Sequence, residues 1–269
     1  MDILNYLPPK RFAEYDDFLT FISIYDDRRR EWAYKRLLRR HRDRIRGAVC
    51  LEAGCGLGIF SAYLARLGAR RVYAVESNPL LYGLARERLR AFPQVRVLRA
   101  DLRDFEAPEP IDVLVHDLYG QLLYDEDLHV LSQLPIRPRL VLPNGGRLLV
   151  GTVRAALIAD RTVSLDVLSR LDGLLVSGLF AERGLRPQRQ LCRWRFGETL
   201  SYIHGNLEGL EGEVVFFAME VLHDELPICR AGECPNWSYV WTWRRADRFW
   251  LRFEPDKRGM RVRFGWEDP

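Results

Sequence analysis

Two patterns of hydrophobic and polar positions divide the chain. In the first half, an apolar run ending at Leu51 is typical of a buried parallel strand, and residues 59–67 carry apolar side chains at helical spacing before Gly68 ends the helix. Short β-branched runs follow at residues 95–98 and 111–115, and residues 147–150 are expected to form a late strand of the same sheet. This alternation predicts an α/β, doubly wound sheet.

The pattern changes near Gly151. Short β-prone segments split by Gly, Pro and Asp follow at residues 153–158, 162–168, 214–222, 239–243, 249–253 and 262–266. Several strands at such spacing predict a sandwich or barrel. We therefore predict two domains, residues 1–150 with N-terminal helices and the α/β sheet, and residues 151–269 as a smaller β-rich, barrel-like domain.

A glycine-rich turn joins the first strand to its helix. Gly54, Gly56 and Gly58 lie on it, and glycine permits positive φ and close approach of a ligand to the backbone. A dinucleotide-binding turn would place its third glycine one residue later, at Ile59. Glu76 closes the next strand about 20 residues past Gly56, where an acid can bind both hydroxyls of a ribose. The turn alone is a weak signal, but its context predicts a nucleoside-containing ligand.

The E-x-G-x-G-x-G spacing from Glu52 to Gly58 resembles motif I of the class I S-adenosylmethionine (SAM) methyltransferases. The resemblance implies a Rossmann-like fold with SAM as cofactor, and it places Asp101 and Leu102 where such enzymes hold the adenine. The alternative for Asp101 is a solvated acid at a strand end. The implied cofactor-binding residues are Arg30, Glu52, Gly54, Gly56, Gly58, Glu76, Ser77, Asp101 and Leu102.

A narrower resemblance is to the protein arginine methyltransferases. Their loop S-E-W-M-G-Y-x-L-x-x-E aligns with residues 116–126, so that Asp117 and Glu126 take the two acid positions. The family's D-x-x-R-x-x-x-Y element matches Asp27, Arg30 and Tyr34, and by resemblance Arg30 would pair with the carboxylate of SAM. The resemblance is strongest over residues 27–146 and implies that Asp117 and Glu126 are catalytic.

The acceptor side departs from that family. Pro235-Asn236-Trp237 stands where the family has Thr-His-Trp, and the resemblance implies an acceptor site of Tyr34, Tyr119, Asn236 and Trp237. Asp117 is one methylene shorter than the family's glutamate, which retracts its carboxylate by about 1.3 Å. Asn236 removes a titratable histidine. These differences indicate a specialised acceptor, either arginine in a protein or peptide, or a small guanidine or amine.

Paired acids suit guanidinium chemistry because carboxylates meet the planar donors of arginine in a bidentate way. We therefore predict an N-methyltransferase acting on a guanidinium or amine nitrogen, whose catalysis is mostly orientation and electrostatics. Two alternatives stay open: a nucleic-acid methyltransferase, although the loop after Asp117 lacks the Pro-Pro typical of base-modifying enzymes, and a non-catalytic SAM-binding module. Asp117 and Glu126 could also be ordinary solvated loop acids.

Composition agrees with this prediction. The chain has 269 residues with 48% apolar content, no run of 18 apolar residues that could span a membrane, and no secretory signal, so a cytoplasmic location is expected. Its five cysteines are scattered and do not suggest disulfides. Cys229, Cys234 and His223 match no zinc spacing, and no metal is expected.

The net charge of +4 is mild. A basic amphipathic helix at residues 35–46 and the outward arginines of residues 261–264 could bind an acidic partner, but such faces are more often simply solvated. Nucleic acid is therefore not expected as a partner. The sequence shows no helical hairpin of the kind that forms the family's dimerisation arm, which leaves a homodimer open.

Overall fold

The computed structural model describes residue 8 and residues 21–159, 164–177, 185–234, 237–256 and 259–267. The first sheet has five parallel strands, β1 (Val49–Ala53), β2 (Arg71–Glu76), β3 (Val95–Arg99), β4 (Val113–His116) and β5 (Leu140–Leu142). Their order across the sheet is β3-β2-β1-β4-β5. Every residue of β1 and β4 is buried, which explains their apolar runs. The predicted Rossmann-like sheet is confirmed.

Helices precede the first strand and connect the strands of this sheet. Residues 21–26 are helical, and α1 (Arg28–Arg40) and α2 (Arg42–Ile45) precede the first strand, while α3 (Ile59–Arg66) and α4 (Pro79–Arg88) connect β1 to β2 and β2 to β3. The Asp27 side chain caps α1 by accepting from the Arg30 N–H. Gly58, with φ of 71°, precedes α3 in the left-handed conformation that glycine adopts most easily. The predicted helix at residues 59–67 is confirmed.

The strand order creates a crevice. From β1 the chain proceeds to β2 on one side, and β4 lies on the other side of β1. Ligands of open α/β sheets bind outside the carboxyl ends of the strands at such a reversal. The glycine turn follows β1 and the loop beginning at Asp117 follows β4, so the fold brings the two predicted motifs to one edge of the sheet.

The second region is antiparallel. It contains β6 (Gly145–Val153), β7 (Val176–Ser177), β8 (Arg189–Arg195), β9 (Tyr202–Asn206), β10 (Val214–His223), β11 (Leu226–Arg230), β12 (Val240–Trp243), β13 (Arg248–Asp256) and β14 (Gly259–Trp266). One sheet runs β7-β12-β10-β6-β8 with β11 beside β10, and a second runs β14-β13-β9. A buried cluster that includes Leu51, Leu114, Phe217 and Phe249 joins the parallel sheet to this region.

Several expectations change here. Residues 147–150 lie in β6 and pair with β8 and β10, so the expected late strand of the parallel sheet belongs to the second region. The predicted strand at residues 153–158 is mostly a 3-10 turn at Ala155–Leu157, and residues 164–169 contain α5 (Leu165–Ser169). The four later segments are confirmed as strands. The domain boundary at residue 150 stays a prediction, although the sheets change between Leu142 and Gly145.

The cysteines also differ from expectation. Cys229 and Cys234 form a disulfide, whereas Cys50, Cys55 and Cys192 are free thiols. This pair was not predicted, because its cysteines lie five positions apart and close a local turn rather than part of a disulfide framework. Cytoplasmic location stays a prediction. Among the described residues, no helix is long and apolar enough to cross a membrane.

Candidate active site

A cavity of about 1060 Å³ opens where the parallel strands end. It brings together most of the predicted site residues, namely Arg30, Glu52, Gly54, Gly56, Glu76, Ser77, Asp101, Leu102, Asp117, Tyr119, Glu126 and Trp237. Gly58 and Tyr34 are not in its lining, and Asn236 lies outside the described residues. The two acids and the glycine turn therefore share one space.

The glycine turn is bound to the acid at the end of β2. The Gly56 N–H donates to Glu76 Oε2 at 2.8 Å, and the Asn78 N–H donates to Oε1 at 2.8 Å. Burial raises the pKa of Glu76 although these donors oppose the shift. The Leu57 N–H donates to the Tyr25 hydroxyl at 2.6 Å. At Gly56, with φ of +52°, a Cβ would lie 1.8 Å from that hydroxyl, so only glycine fits.

Glu52 secures the start of α3. Its carboxyl accepts from the Ser61 N–H at 2.7 Å and from the Ser61 hydroxyl. Burial raises its pKa to about 8. Its hydrogen bonds therefore hold the glycine turn against α3, and the residue also lines the cavity.

Asp101 is partly exposed at the cavity edge. Its carboxylate pairs with Arg103, with Oδ1 at 2.9 Å from Nε and Oδ2 at 2.6 Å from Nη2. The hydrogen bonds of Arg103 lower the pKa of this acid. Asp101 is thus charged and positioned, but its oxygens already have donors.

Arg30, Tyr34 and Asp117 form a buried network. Arg30 Nε donates to Asp117 Oδ2 at 2.6 Å, Nη2 contacts the same oxygen, and the Tyr34 hydroxyl donates to Oδ1 at 2.6 Å. The Arg30 and Asp117 side chains are only 7% and 12% exposed. Burial raises the pKa of Asp117, and the charge of Arg30 with the two hydrogen bonds opposes that shift. The predicted catalytic acid is therefore held by the residue predicted to bind the cofactor.

Trp237 completes this network from the second region. The Arg30 guanidinium lies 4.7 Å from the centroid of its ring, a cation–π arrangement. The ring also meets Tyr119 edge to face, and the Tyr119 hydroxyl donates to the Gly145 carbonyl at 2.9 Å. Arg30 Nη1 is buried and has no hydrogen-bond partner among the described residues. A donor of the guanidinium is thus left for another acceptor.

The loop from Asp117 to Glu126 is rigidly shaped. Asp125 Oδ1 accepts from the Leu122 N–H at 2.8 Å, and a Cβ on Gly120 would lie 1.9 Å from that oxygen. Leu123 is fully buried with φ of 70°, a left-handed conformation that costs about 1–2 kcal/mol for a residue with a side chain. Asp125 is therefore a structural acid of the loop rather than a solvated one.

Glu126 differs from Asp117 in having no partner. Its carboxylate makes no hydrogen bond or ion pair with any residue that the structure describes, and it lines the cavity. The side chain is exposed at the cavity, where partial loss of water contact, together with the charges of Asp125 and Asp127, raises its pKa to about 7 against the opposing charge of Arg30. Glu126 is the acid that remains available to a ligand.

His116 is neutral at the base of the cavity. Its Nε2 lies 2.9 Å from the Pro143 carbonyl oxygen, which can only accept, so Nε2 carries the hydrogen. Burial lowers its pKa to about 3. Its Nδ1 has no partner among the described residues. The residue can accept a hydrogen bond but does not supply charge.

Sequence reasoning missed several residues of the lining, among them Tyr25, Glu31 and Asp127. Tyr25 covers the glycine turn, Asp127 adds negative charge to the cavity, and Glu31 lines it while paired with Lys35. Glu31 follows Arg30 in the matched helix motif, and Asp127 follows Glu126. Their positions next to predicted site residues could therefore have indicated that they line the cavity. Tyr25 stands two residues before Asp27, outside any motif, and only the structure reveals its contact.

Comparison with known proteins supports this description. Residues 50–134 match the family described as "Methyltransferase domain". "Probable protein arginine N-methyltransferase 6" of Arabidopsis thaliana is 34% identical over 126 residues, 46% of this chain and 28% of that protein. "Protein arginine N-methyltransferase PRMT10" of Oryza sativa subsp. japonica is 31% identical over 171 residues, 58% of this chain and 44% of that protein. The matched segments thus span less than half the length of these curated relatives.

Solved structures share the whole fold. Arabidopsis thaliana Protein Arginine Methyltransferase 10 superposes with a TM-score of 0.64 at 16% identity and 90% coverage of both chains. The Trypanosoma brucei PRMT1 enzyme-prozyme complex with AdoHcy gives a TM-score of 0.66 at 15% identity, covering 92% of this chain and 93% of that one. The chain therefore contains a segment, residues 50–134, that is similar to a methyltransferase domain, and its parallel sheet followed by an antiparallel β-rich region is the fold of the solved protein arginine methyltransferases.

Proposed function

We propose that this protein is a SAM-dependent N-methyltransferase that methylates a guanidinium nitrogen, with arginine in a protein or peptide as the acceptor. The observation that carries the proposal is the single cavity, which joins the glycine turn and Glu76 to the acids Asp117 and Glu126. The arginine methyltransferase names of the relatives support the acceptor class.

The residues present fit SAM. The unpartnered Nη1 of Arg30 is a buried cationic donor suited to the amino-acid carboxylate of the cofactor. Glu76 has two carboxylate oxygens near the turn, each with one backbone donor, which keep lone pairs for ribose hydroxyls. When bound, SAM would supply a methyl group already activated by its sulfonium.

The chain itself supplies position and charge. Glu126 would accept hydrogen bonds from the guanidinium and, with a pKa of about 7, take the proton that the methylated nitrogen loses. Asp117, fixed by Arg30 and Tyr34, would orient the same group through its remaining lone pairs. The exposed Asp127, next to Glu126 in the lining, adds negative charge that favours a cationic acceptor.

The test uses methyl-labelled SAM with lysate divided into macromolecular and small-molecule fractions, followed by hydrolysis. Methylarginine in protein is the expected product. Label only in a small guanidine or amine would move the acceptor to that class, and label in nucleic acid would contradict the acceptor assignment. Glu126→Gln should lose transfer and keep SAM binding by calorimetry, whereas the exposed Glu106→Gln should keep both.

Glu76→Ala separates cofactor binding from acceptor chemistry. We expect this variant to lose SAM affinity, because Glu76 also holds the Gly56 N–H. If wild type binds no SAM, or if Glu76→Ala binds it as tightly as wild type, the proposal fails. SAM binding without transfer to any fraction would favour a non-catalytic module.

A homodimer is also proposed. Leu157, Leu165 and Leu174 in the segment after β6 are 75%, 48% and 56% exposed, and a dimer interface over this segment would cover them. Analytical ultracentrifugation should show dimers that Leu165→Asp with Leu174→Asp dissociates. Leu226→Asp, at a residue 60% exposed on β11, is the matched control and should not. A wild-type monomer at micromolar concentration would contradict the proposal.

A further inference from the structure

The outer face of α1 carries a basic stripe. Arg28, Trp32, Arg36 and Arg40 recur every four residues, the spacing that places side chains on one helix face, and Arg29 and Arg39 lie beside them. All six are exposed. The residues that α1 buries, including Arg30 and Tyr34, occupy the opposite face. We call these six exposed residues the α1 stripe.

Within the part of the chain that the structure describes, no acidic side chain pairs with the arginines of the α1 stripe. Arg28, Arg36, Arg39 and Arg40 have no ion pair with the residues that the structure describes, and Arg29 donates only to the Glu233 carbonyl, at 3.1 Å. The nearby Glu31 pairs instead with Lys35. At 1.5 Å per residue the α1 stripe extends over about 18 Å. Such a line of unpaired arginines attracts a linear polyanion.

A second basic surface shows the contrast. On the sheet formed by β13 and β14, Glu254 lies 3.0 Å from both Arg252 and Arg263, and Arg261 lies 3.8 Å from Asp256. Those arginines are equally solvent-exposed, but each has an acid beside it. The positive charges of these arginines are balanced by neighbouring acids. They therefore serve as a control in which the same number of arginines can be replaced.

The exposed indole of Trp32 favours a nucleic acid over a membrane surface as the polyanion. Trp32 is 63% exposed, and the Arg36 guanidinium lies 4.9 Å from its ring centroid. Membrane-binding helices insert a broad apolar face, whereas the apolar face of α1 is buried in the protein and the α1 stripe offers a single aromatic ring. Aromatic rings flanked by arginines are typical of single-stranded nucleic-acid sites, where bases stack and phosphates pair.

We propose that the α1 stripe binds single-stranded nucleic acid, with its arginines on phosphates and Trp32 stacked on an unpaired base. This reverses the sequence-based expectation that the basic helix is merely solvated. The inference does not depend on methyl transfer, because the α1 stripe lies on the face of α1 opposite Arg30.

The test is fluorescence anisotropy of a labelled oligouridine and of its DNA counterpart over a range of salt. With four phosphates contacted, the logarithm of the association constant should fall with the logarithm of salt at a slope of about −3. The triple variant Arg36→Ala, Arg39→Ala, Arg40→Ala should reduce the magnitude of that slope by about 2. The control triple variant Arg252→Ala, Arg261→Ala, Arg263→Ala should leave it unchanged.

The indole is tested separately. Trp32→Ala should weaken binding about tenfold with little change in slope, and Trp32→Phe should restore most of the affinity, because stacking needs only an aromatic face. Thermal unfolding of each variant checks that α1 stays folded. The proposal is overturned if wild type does not bind at about 50 mM salt. Equal loss in the control variant, or stripe-dependent binding to phosphatidylserine vesicles without RNA binding, would overturn it as well.

Discussion

The buried pair of Arg30 and Asp117 makes a stability prediction whose size can be worked out. Asp117→Asn keeps the shape of the side chain and an oxygen that can still accept from Tyr34, but it removes the charge opposite a guanidinium only 7% exposed. Removing one partner of a buried ion pair costs about 3–5 kcal/mol, since the other charge stays buried without compensation. We therefore expect the free energy of unfolding to fall by about that amount.

Urea denaturation followed by fluorescence measures this change as a shift of the midpoint at constant slope. Asp101→Asn is the control, because its pair with Arg103 is 35% and 41% exposed and such pairs contribute about 0–1 kcal/mol. The double variant Arg30→Met, Asp117→Asn should recover much of the loss, because no buried charge remains. If Asp117→Asn costs no more than Asp101→Asn, the network does not hold the site as the structure indicates.

Three further predictions concern the same region. Glu126 must be ionised to bind a cation, and its pKa is raised to about 7. The value of kcat/KM should therefore rise about tenfold per pH unit below pH 7 and level off above it, and a profile that is flat down to pH 5 would contradict this prediction. Gly56→Ala should abolish SAM binding in calorimetry, since its Cβ would lie 1.8 Å from the Tyr25 hydroxyl; undiminished affinity would mean that the turn can shift. Cys229→Ser should lower the free energy of unfolding by about 2 kcal/mol under oxidising conditions, because the disulfide between Cys229 and Cys234 closes a short loop. In excess reductant the variant and the wild type should unfold at the same urea concentration. Equal stability of the two proteins in both conditions would argue against the disulfide.

The parallel sheet and the glycine turn were predictable because their signals are local. Strand β1 is an apolar run, Gly68 follows the helix, and Gly56 stands at a fixed distance from Glu76. Chain connectivity then dictates that the ends of these strands meet. The two motifs after β1 and β4 could therefore be placed in one cavity before any distance was known.

The antiparallel region was harder to predict. Residues 153–158 are mostly apolar, as a short buried strand would be, yet the chain turns there after β6. The strands β8 and β9 were not predicted. Antiparallel strands depend on partners far away in sequence, so a short apolar run cannot reveal whether it will pair. The assignment of residues 147–150 failed for the same reason, since β10 and β8 determine their sheet.

The sequence could not predict which side chains pair with each other at the site. Motif matching assigned Arg30 to the cofactor and Asp117 to the acceptor, and it could not show that the two contact each other. It also treated Asp117 and Glu126 as equivalent. Their difference comes from surroundings, because Asp117 has two donors while Glu126 has none among the described residues. Burial and neighbouring charge determine the pKa of each acid, and both are tertiary properties.

The contacts of Arg30 have a consequence for how the molecule folds. Its guanidinium contacts Asp117, 87 positions along the chain, and the ring of Trp237 in the antiparallel region. Closing loops of that length is entropically costly, so contacts between distant residues form late and slow the folding reaction. A nascent chain that has formed only the parallel sheet would have the glycine turn, but Arg30 would lack its contact with the Trp237 ring. The site would then bind its ligands only after the antiparallel region has also folded.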